Sequence, residues 1–172
     1  MELDNGTLAV AGSSDVKLYK RIEQTVNLTV VTSWQLDQII SGYPGAALSL
    51  VGAMDTAENQ IVLSQPGDGD GSVIIYERPG PSQPYSFEDK IVRVGHYQSL
   101  PVNHYSYGKS HDLRKKAVAI DADLVVVGDT FCRTTDDQAN SSAVFVYSRT
   151  PGTRGEGSYT LENILSNFPA IG

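Results

Sequence analysis

The runs Asp123-Leu-Val-Val-Val-Gly128 and Ser142-Ala-Val-Phe-Val-Tyr-Ser-Arg149, joined by a polar loop, form a pattern that occurs three times in this chain of 172 residues. The second copy covers residues 60–65 and 72–78, and the first covers 7–12 and 15–21. Each copy ends with a tyrosine and, two residues later, an arginine: Tyr19 and Arg21, Tyr76 and Arg78, Tyr147 and Arg149. A fixed order of residues that recurs at this scale indicates a repeat architecture.

Each copy contains two runs of β-branched and aromatic residues joined by Gly, Ser or Asp, which predicts two strands of an antiparallel meander. A further run follows the second and third copies, as Tyr85-Ser-Phe-Glu-Asp-Lys-Ile91 and Tyr159-Thr-Leu-Glu-Asn-Ile-Leu165. Upstream, residues 50–55 match residues 117–121, so the unit has four strands, with 57 and 71 residues between equivalent tyrosines. Four-stranded repeats near this period are typical of β-propeller blades.

The third copy, with its polar loop rich in Asp, Asn and Ser, resembles the FG-GAP-type propeller repeat of integrin α-subunit heads and many secreted or surface proteins. The resemblance covers most of residues 7–168 and implies an all-β fold of propeller blades, each a four-stranded antiparallel meander. We expect one repeat region over residues 1–172, with a partial blade at 5–31 and complete blades at 45–95 and 112–168.

About three blades cannot close a ring, because propellers need about four to eight. The first blade is expected to lack the strand before Asn5, and residues 32–45 are predicted to contain a helical turn capped by Ser33. An incomplete ring leaves two interpretations. The chain is a segment of a longer propeller, or it is a half-ring that associates with itself.

We expect a partner to bind at the loops. In a propeller, the loops between strands two and three and the connections between blades emerge on one face, and loops on a rigid scaffold commonly carry binding residues. Tyr and Trp bury a large area and keep a polar tip, which suits contacts with a protein or glycan partner. The candidate ligand-binding residues are therefore Trp34, His96, Tyr97, His104, Tyr105, Tyr107, Asp136 and Asp137.

Calcium is the one cofactor that the sequence suggests, because hard oxygen ligands cluster at Asp55, Glu58 and Asn59. These residues correspond to the Asp/Asn loop between strands one and two of calcium-binding FG-GAP blades. The acidic pair Asp68 and Asp70 is instead interpreted as turn chemistry. The separations of the three histidines fit no zinc pattern, and a single cysteine excludes an intramolecular disulfide framework.

The net charge of −7 disfavours nucleic-acid binding, and the apolar runs are too short for a membrane-spanning helix. Three glycosylation sequons begin at Asn5, Asn27 and Asn140 and indicate a secreted or cell-surface protein, although no signal peptide is visible in this segment. Asn27 is expected to alternate with its neighbours on a strand.

No nucleophile elbow, phosphate-binding glycine loop or catalytic triad occurs, so we expect a non-enzymatic extracellular interaction, adhesion or scaffold module. The partner is a protein or glycan, together with the rest of a larger propeller or further copies that complete the ring. Two alternatives stay open, namely a structural repeat unit of a filament or particle, and part of a propeller hydrolase.

Overall fold

The computed structural model describes residues 1–4, 6–48, 51–65, 68, 71–92, 117–132 and 141–166. Within these residues, strands are the only regular secondary structure, and they form antiparallel sheets of two or four strands without a closed barrel. The predicted all-β class is confirmed.

The first sheet consists of β1 (Glu2–Asp4), β2 (Thr7–Ala11), β3 (Val16–Val26) and β4 (Thr29–Ile40). The second consists of β7 (Met54–Ala57), β8 (Gln60–Gln65), β9 (Ser72–Glu77) and β10 (Ser86–Val92), and the third of β11 (Val118–Asp121), β12 (Leu124–Cys132), β13 (Ser141–Arg149) and β14 (Tyr159–Ser166).

The three four-stranded sheets share one topology, in which the strands lie side by side in chain order as a meander. A short hairpin of β5 (Gly42–Tyr43) and β6 (Ala46–Ala47) follows the first sheet. Among the described residues of the strand expected over 46–54, Ala46–Ala47 belongs to this hairpin and Met54 begins the second sheet.

The second sheet is buried on both faces, which explains why β8 is buried along its whole length. Side chains alternate between the two faces of a strand. Ile61 and Leu63 pack in one core with the first sheet, whereas Val62, between them, packs in the other core with the third sheet. The three sheets therefore form a stack. We call the face that a sheet turns toward the following sheet its forward face, and the opposite face its rear face.

The fourth strand of each sheet has a β-bulge at the same position. It lies opposite the repeated tyrosine of the third strand and the residue that precedes this tyrosine. The extra residue is acidic in all three sheets, being Asp37 in β4, Glu88 in β10 and Glu162 in β14. Bulges of this kind re-aim the neighbouring side chains. The register also aligns Trp34 with Tyr159 and Tyr85. Trp34 pairs with Arg21 and Tyr159 pairs with Arg149. Tyr85 directly precedes Ser86, which pairs with the residue before Arg78.

The expected helical turn in residues 32–45 is wrong, because β4 runs without a break from Thr29 to Ile40. Apolar residues at 36, 39 and 40 follow the spacing of a helix. The bulge at Asp37 produces the same spacing in a strand, since one inserted residue shifts the alternation by one.

The first sheet also has four strands where only three were expected, because Glu2–Asp4 pairs with β2. Asn27 does not lie in a strand. Asn27 and Leu28, both with positive φ, form the two-residue turn between β3 and β4.

Candidate functional site

The connection after the first sheet and the loop between β8 and β9 meet at one edge of the stack. In an antiparallel meander, the loop between strands two and three and the end of strand four lie at the same edge. Here they are joined by Tyr43, whose hydroxyl donates a hydrogen bond of 3.0 Å to Asp68. Lys90, near the end of β10, lies 2.7 Å from the same carboxylate, and the Ser72 hydroxyl donates to it over 2.7 Å. We call Tyr43, Asp68, Ser72 and Lys90 the edge cluster.

The edge cluster holds a fixed pair of opposite charges. Burial alone would raise the pKa of the Asp68 carboxyl, but hydrogen bonds from Lys90, Ser72 and Tyr43 outweigh burial and lower the pKa. Burial alone would likewise lower the pKa of Lys90, but its hydrogen bonds to Asp68 and Tyr43 raise the pKa. Both groups therefore stay charged around neutral pH, and they hold Tyr43 in place.

A groove with a volume of about 400 Å³ runs beside this cluster, between the end of β4 with its following connection and β10. We call it the rim groove, and its lining residues are Gln38–Pro44, Tyr76, Tyr85 and Phe87. The rings of Tyr43 and Phe87 stack with centroids 6.2 Å apart, and Lys90 Nζ lies 4.9 Å from the centre of the Tyr43 ring. The Tyr76 hydroxyl donates to the Gly42 carbonyl over 2.8 Å, and burial raises the pKa of this phenol.

The chemistry of the rim groove suits binding. Its volume lies within the range of about 300–1,000 Å³ that is usual for ligand sites. Half-buried rings of Tyr43 and Phe87 offer flat apolar surface, and Gln38 and Ser41 add polar groups at its wall. Such a groove fits the ring of a sugar or an apolar side chain of a protein partner.

A second polar cluster lies between the second and third sheets at the opposite edge of the stack. Arg149 forms ion pairs with Glu77 and with Glu88, the latter at 2.7 Å, and all three side chains are largely buried. Glu88 also accepts a hydrogen bond of 3.0 Å from the Gly155 amide. Because Arg149 and the backbone occupy both carboxylates, this cluster is accounted for by the packing of the two sheets.

Two of the three candidate calcium ligands, Asp55 and Asn59, are engaged in other contacts. Asp55 lies in β7 and accepts a hydrogen bond of 3.1 Å from the Ile120 amide of the third sheet. Asn59 accepts one of 3.1 Å from Arg78 Nε, and Glu58 lies beside it in the tight turn between β7 and β8. Among the residues that the structure describes, no group of three or more His, Cys, Asp or Glu side chains could hold a metal ion.

Two other predicted residues lie in described parts of the chain. Trp34 is in β4 on the rear face of the first sheet, and not in a connection between sheets. Asn27 is exposed at the tip of the β3–β4 turn. The remaining predicted ligand-binding residues and sequons lie outside the described residues: His96, Tyr97, His104, Tyr105, Tyr107, Asp136, Asp137, Asn5 and Asn140. In the part that is described, no helix is long and apolar enough to cross a membrane.

Sequence reasoning missed Tyr43, Phe87 and Lys90, and treated Asp68 only as a turn residue. One signal was present. Lys90 occupies a position at which the other two repeats have Ile39 and Ile164, and a charged residue in an apolar column indicates a local partner. That partner, Asp68, lies in a loop whose position the repeat pattern does not specify.

Comparisons with protein-family models, with curated proteins and with solved structures found no match for this chain.

Proposed function

We propose that this chain is a non-enzymatic extracellular interaction module, built from propeller-type blades, that binds a protein or glycan partner at the loop edge of its stacked sheets. The observation that carries the proposal is the rim groove, where stacked aromatic rings lie open beside a fixed ion pair. Three meanders of equal topology, stacked face to face, support the propeller assignment.

The site extends from Tyr43 and Phe87 toward the loops of the same edge. Tyr97, Tyr105 and Tyr107 belong to the connection that follows β10, and Lys90 of the edge cluster is near the end of that strand. These three tyrosines lie outside the described residues, and their part in binding stays a prediction from the sequence that the variants below test. Aromatic residues are enriched at the centres of protein interfaces.

Binding screens with matched variants test the proposal. The purified chain is applied to an oligosaccharide array and to a display library of extracellular protein domains. For a true partner, Tyr43→Ser and the triple variant Tyr97→Ser/Tyr105→Ser/Tyr107→Ser should each weaken binding about tenfold or more. Leu28→Ser is the control, because this fully exposed side chain lies at a hairpin tip and outside the rim groove.

Each outcome of the screen has a defined meaning. Loss of binding in either tyrosine variant, with normal binding by the control, supports the site. The collection that yields the binder, either the oligosaccharide array or the protein library, identifies the class of partner. Binding that survives both tyrosine variants, or the absence of any specific binder from both collections, contradicts the proposal.

Use of the sequon at Asn27, which an extracellular location predicts, is tested separately. Its exposure at a turn makes the side chain accessible to glycosylation. Expression in a eukaryotic host behind a secretory leader should give a chain whose mass falls on treatment with an N-glycosidase, and Asn27→Gln should remove part of that shift. A secreted chain that carries no glycan at Asn27 would contradict this assignment.

A further inference from the structure

The outer strands close both junctions between the three sheets in the same way. At the first junction, Gln38 Oε1 accepts a hydrogen bond from the Tyr85 amide and Gln38 Nε2 donates one to the Tyr85 carbonyl, each of 2.8 Å. At the second junction, Asp89 Oδ2 accepts a hydrogen bond of 2.9 Å from the Tyr159 amide. Gln38 and Asp89 both follow the bulge residue of their strand directly. We call this contact the outer-strand clasp.

An arginine accompanies the clasp on the sheet that receives it. The guanidinium of Arg78 lies 4.7 Å from the ring centre of Tyr85, and that of Arg149 lies 5.3 Å from the ring centre of Tyr159. At the second junction, Arg149 also binds the bulge residue Glu88. At the first junction, Arg78 instead donates hydrogen bonds to Asn59 and Thr7.

The forward face of the third sheet repeats the donor half of this junction, and no other described part of the chain packs on it. Asn163 occupies the clasp position and Glu162 the bulge, and both side chains are exposed. In the described part of the chain, neither makes a side-chain hydrogen bond or ion pair. The apolar positions are also repeated, since Val126, Val144, Val146 and Leu165 stand where the second sheet has Val62, Val73, Ile75 and Ile91. Leu165 is 45% exposed.

The rear face of the first sheet repeats the receiving half. Trp34 pairs with Arg21 in the strand register, as Tyr159 pairs with Arg149. Tyr19, Leu36 and Ile39 lie on the same face as this pair, and Trp34 is 41% exposed. Within the residues that the structure describes, the apolar surface of this face therefore lacks the cover that the rear faces of the second and third sheets have.

The backbone of Trp34 is available for a clasp. In a hairpin with a two-residue turn, the flanking pair, here Val26 and Thr29, is hydrogen-bonded, and bonded and non-bonded pairs alternate from there. Arg21 and Trp34 are then a non-hydrogen-bonded pair. The amide and carbonyl of Trp34 consequently point away from β3, as the clasped groups of Tyr85 do.

We propose that the forward face of the third sheet docks onto the rear face of the first sheet of a second copy of this chain. Asn163 clasps the Trp34 backbone, as Gln38 clasps Tyr85, and Glu162 pairs with Arg21, as Glu88 pairs with Arg149. Opposite charges and continuity with two existing junctions specify the occupant. A head-to-tail contact of this kind closes into a ring or extends as a filament. A ring of two copies would contain six sheets, within the range of about four to eight blades known for propellers.

Charge reversal tests the contact in the whole chain. Sedimentation over a range of concentrations should show the wild-type chain as a species larger than its 18.5 kDa monomer. Glu162→Arg and Arg21→Glu should each raise the dissociation constant by about tenfold or more, because each sets like charges opposite one another. The double variant should restore association. Glu156→Arg is the matched control, since this exposed side chain makes the same change of charge in the β13–β14 connection.

Fluorescence of Trp34, the single tryptophan of the chain, locates the contact. Association by this face should shift its emission to shorter wavelength as the concentration rises, and Glu162→Arg should abolish the shift. Far-ultraviolet circular dichroism and the melting temperature confirm that each variant is folded. The contact shares Ile39 with the rim groove, but neither Arg21, Trp34 nor Glu162 lines that groove, so the charge-reversal and fluorescence results do not depend on the proposed partner binding.

Three results would overturn the proposal. One is a wild-type chain that stays monomeric at its highest soluble concentration, which would assign the two faces to a different polypeptide. Another is an oligomer whose Trp34 emission does not change with concentration. The last is an oligomer that Glu162→Arg leaves intact.

Discussion

Arg149 shows how a single repeated residue serves different neighbours. Arginine closes each repeat, and in the second and third sheets its guanidinium lies over the aromatic ring at the start of the outer strand. Its partner in the preceding sheet differs. Arg149 pairs with Glu77 of the second sheet, whereas the corresponding residue of the first sheet is Lys20, which cannot form an ion pair with Arg78. Arg78 binds neutral Thr7 and Asn59 instead.

Removal of the Arg149 charge should be costly. Arg149→Met leaves buried Glu88 without a cation and buried Glu77 with only the exposed Arg154, and breaking a buried ion pair on one side costs about 3 kcal/mol or more. We expect that loss in the free energy of unfolding measured with urea at pH 7. The control is Arg154→Met, which removes a 67% exposed partner of Glu77 and should cost less than about 1 kcal/mol. Equal losses in the two variants would contradict the assignment of Arg149 to the core of the junction.

Asp68 should make stability depend on pH in a defined range. Its pKa is lowered from 3.8 on folding, so its contribution is complete above that pH and is lost as the pH falls through the lower folded value. The pKa of Lys90 is raised from 10.5, so its contribution is complete below that pH and is lost only above the raised value. The free energy of unfolding of the wild-type chain should therefore exceed that of Asp68→Asn by about 1 kcal/mol. This difference should be constant from about pH 5 to 9 and should shrink below pH 4.

Unfolding curves at pH 3 and 7 measure this difference. Glu23→Gln serves as the control, because the Arg21–Glu23 pair is half exposed and should contribute less than about 0.5 kcal/mol at either pH. A difference between wild type and Asp68→Asn that stays the same at pH 3 would disprove the effect of the carboxylate charge.

At the scale of the element, the β3–β4 hairpin combines a tight turn with a bulge. Positive φ at Asn27 and Leu28 gives the mirror-image turn whose twist suits two paired strands. Asparagine tolerates this conformation, whereas leucine adopts it only at an energetic cost. The bulge at Asp37 then turns Gln38 toward the second sheet, where it clasps Tyr85. Among the described residues, the hairpin thus contacts the other sheets near one end, and residues 22–33 extend beyond them.

Glycine at the turn should stabilise the hairpin. Leu28 has a φ of 65° and its side chain is 99% exposed, so Leu28→Gly relieves backbone strain without removing a packed group. We expect a gain of about 0.5–1 kcal/mol in the free energy of unfolding. Val30→Gly, at an exposed position in the adjoining strand, should instead lose about that amount. A loss of stability in both variants would show that the turn differs from the one described.

At the scale of the whole molecule, stability should be greatest in the second sheet. It belongs to both cores, whereas the first and third sheets each belong to one. Ile75 packs with the third sheet and Ile74 with the first, and both are fully buried. Local opening therefore costs most in β8 and β9 and least in strands with an open face.

Hydrogen exchange read by mass spectrometry checks this order. Amides of β8 and β9 should exchange most slowly, whereas the distal part of the β3–β4 hairpin, residues 22–33, should exchange fastest among the strands. At concentrations where copies associate, protection should rise in β4 and β14, and Glu162→Arg should remove that rise. Uniform protection across the three sheets would contradict a stack with open ends.

The repeat by itself determined much of this protein. The alternation in residues 60–65, 72–78 and 142–149 predicted strands that the structure contains, because one buried face imposes a period of two on a strand. The recurrence of Tyr19, Tyr76 and Tyr147 predicted that the sheets would be alike, since equal positions in equal meanders meet equal neighbours.

Only the tertiary structure decided the rest. A bulge has the same local sequence spacing as a helical turn, so the strand character of residues 32–40 became evident only from pairing with β3. Tyr43, Asp68 and Lys90 are distant in the chain and meet because the sheets stack, a relation that no local pattern encodes. The same holds for the open faces. Glu162 and Asn163 match residues used at the internal junctions, yet their availability depends on which sheet has a neighbour, and that is a property of the whole stack.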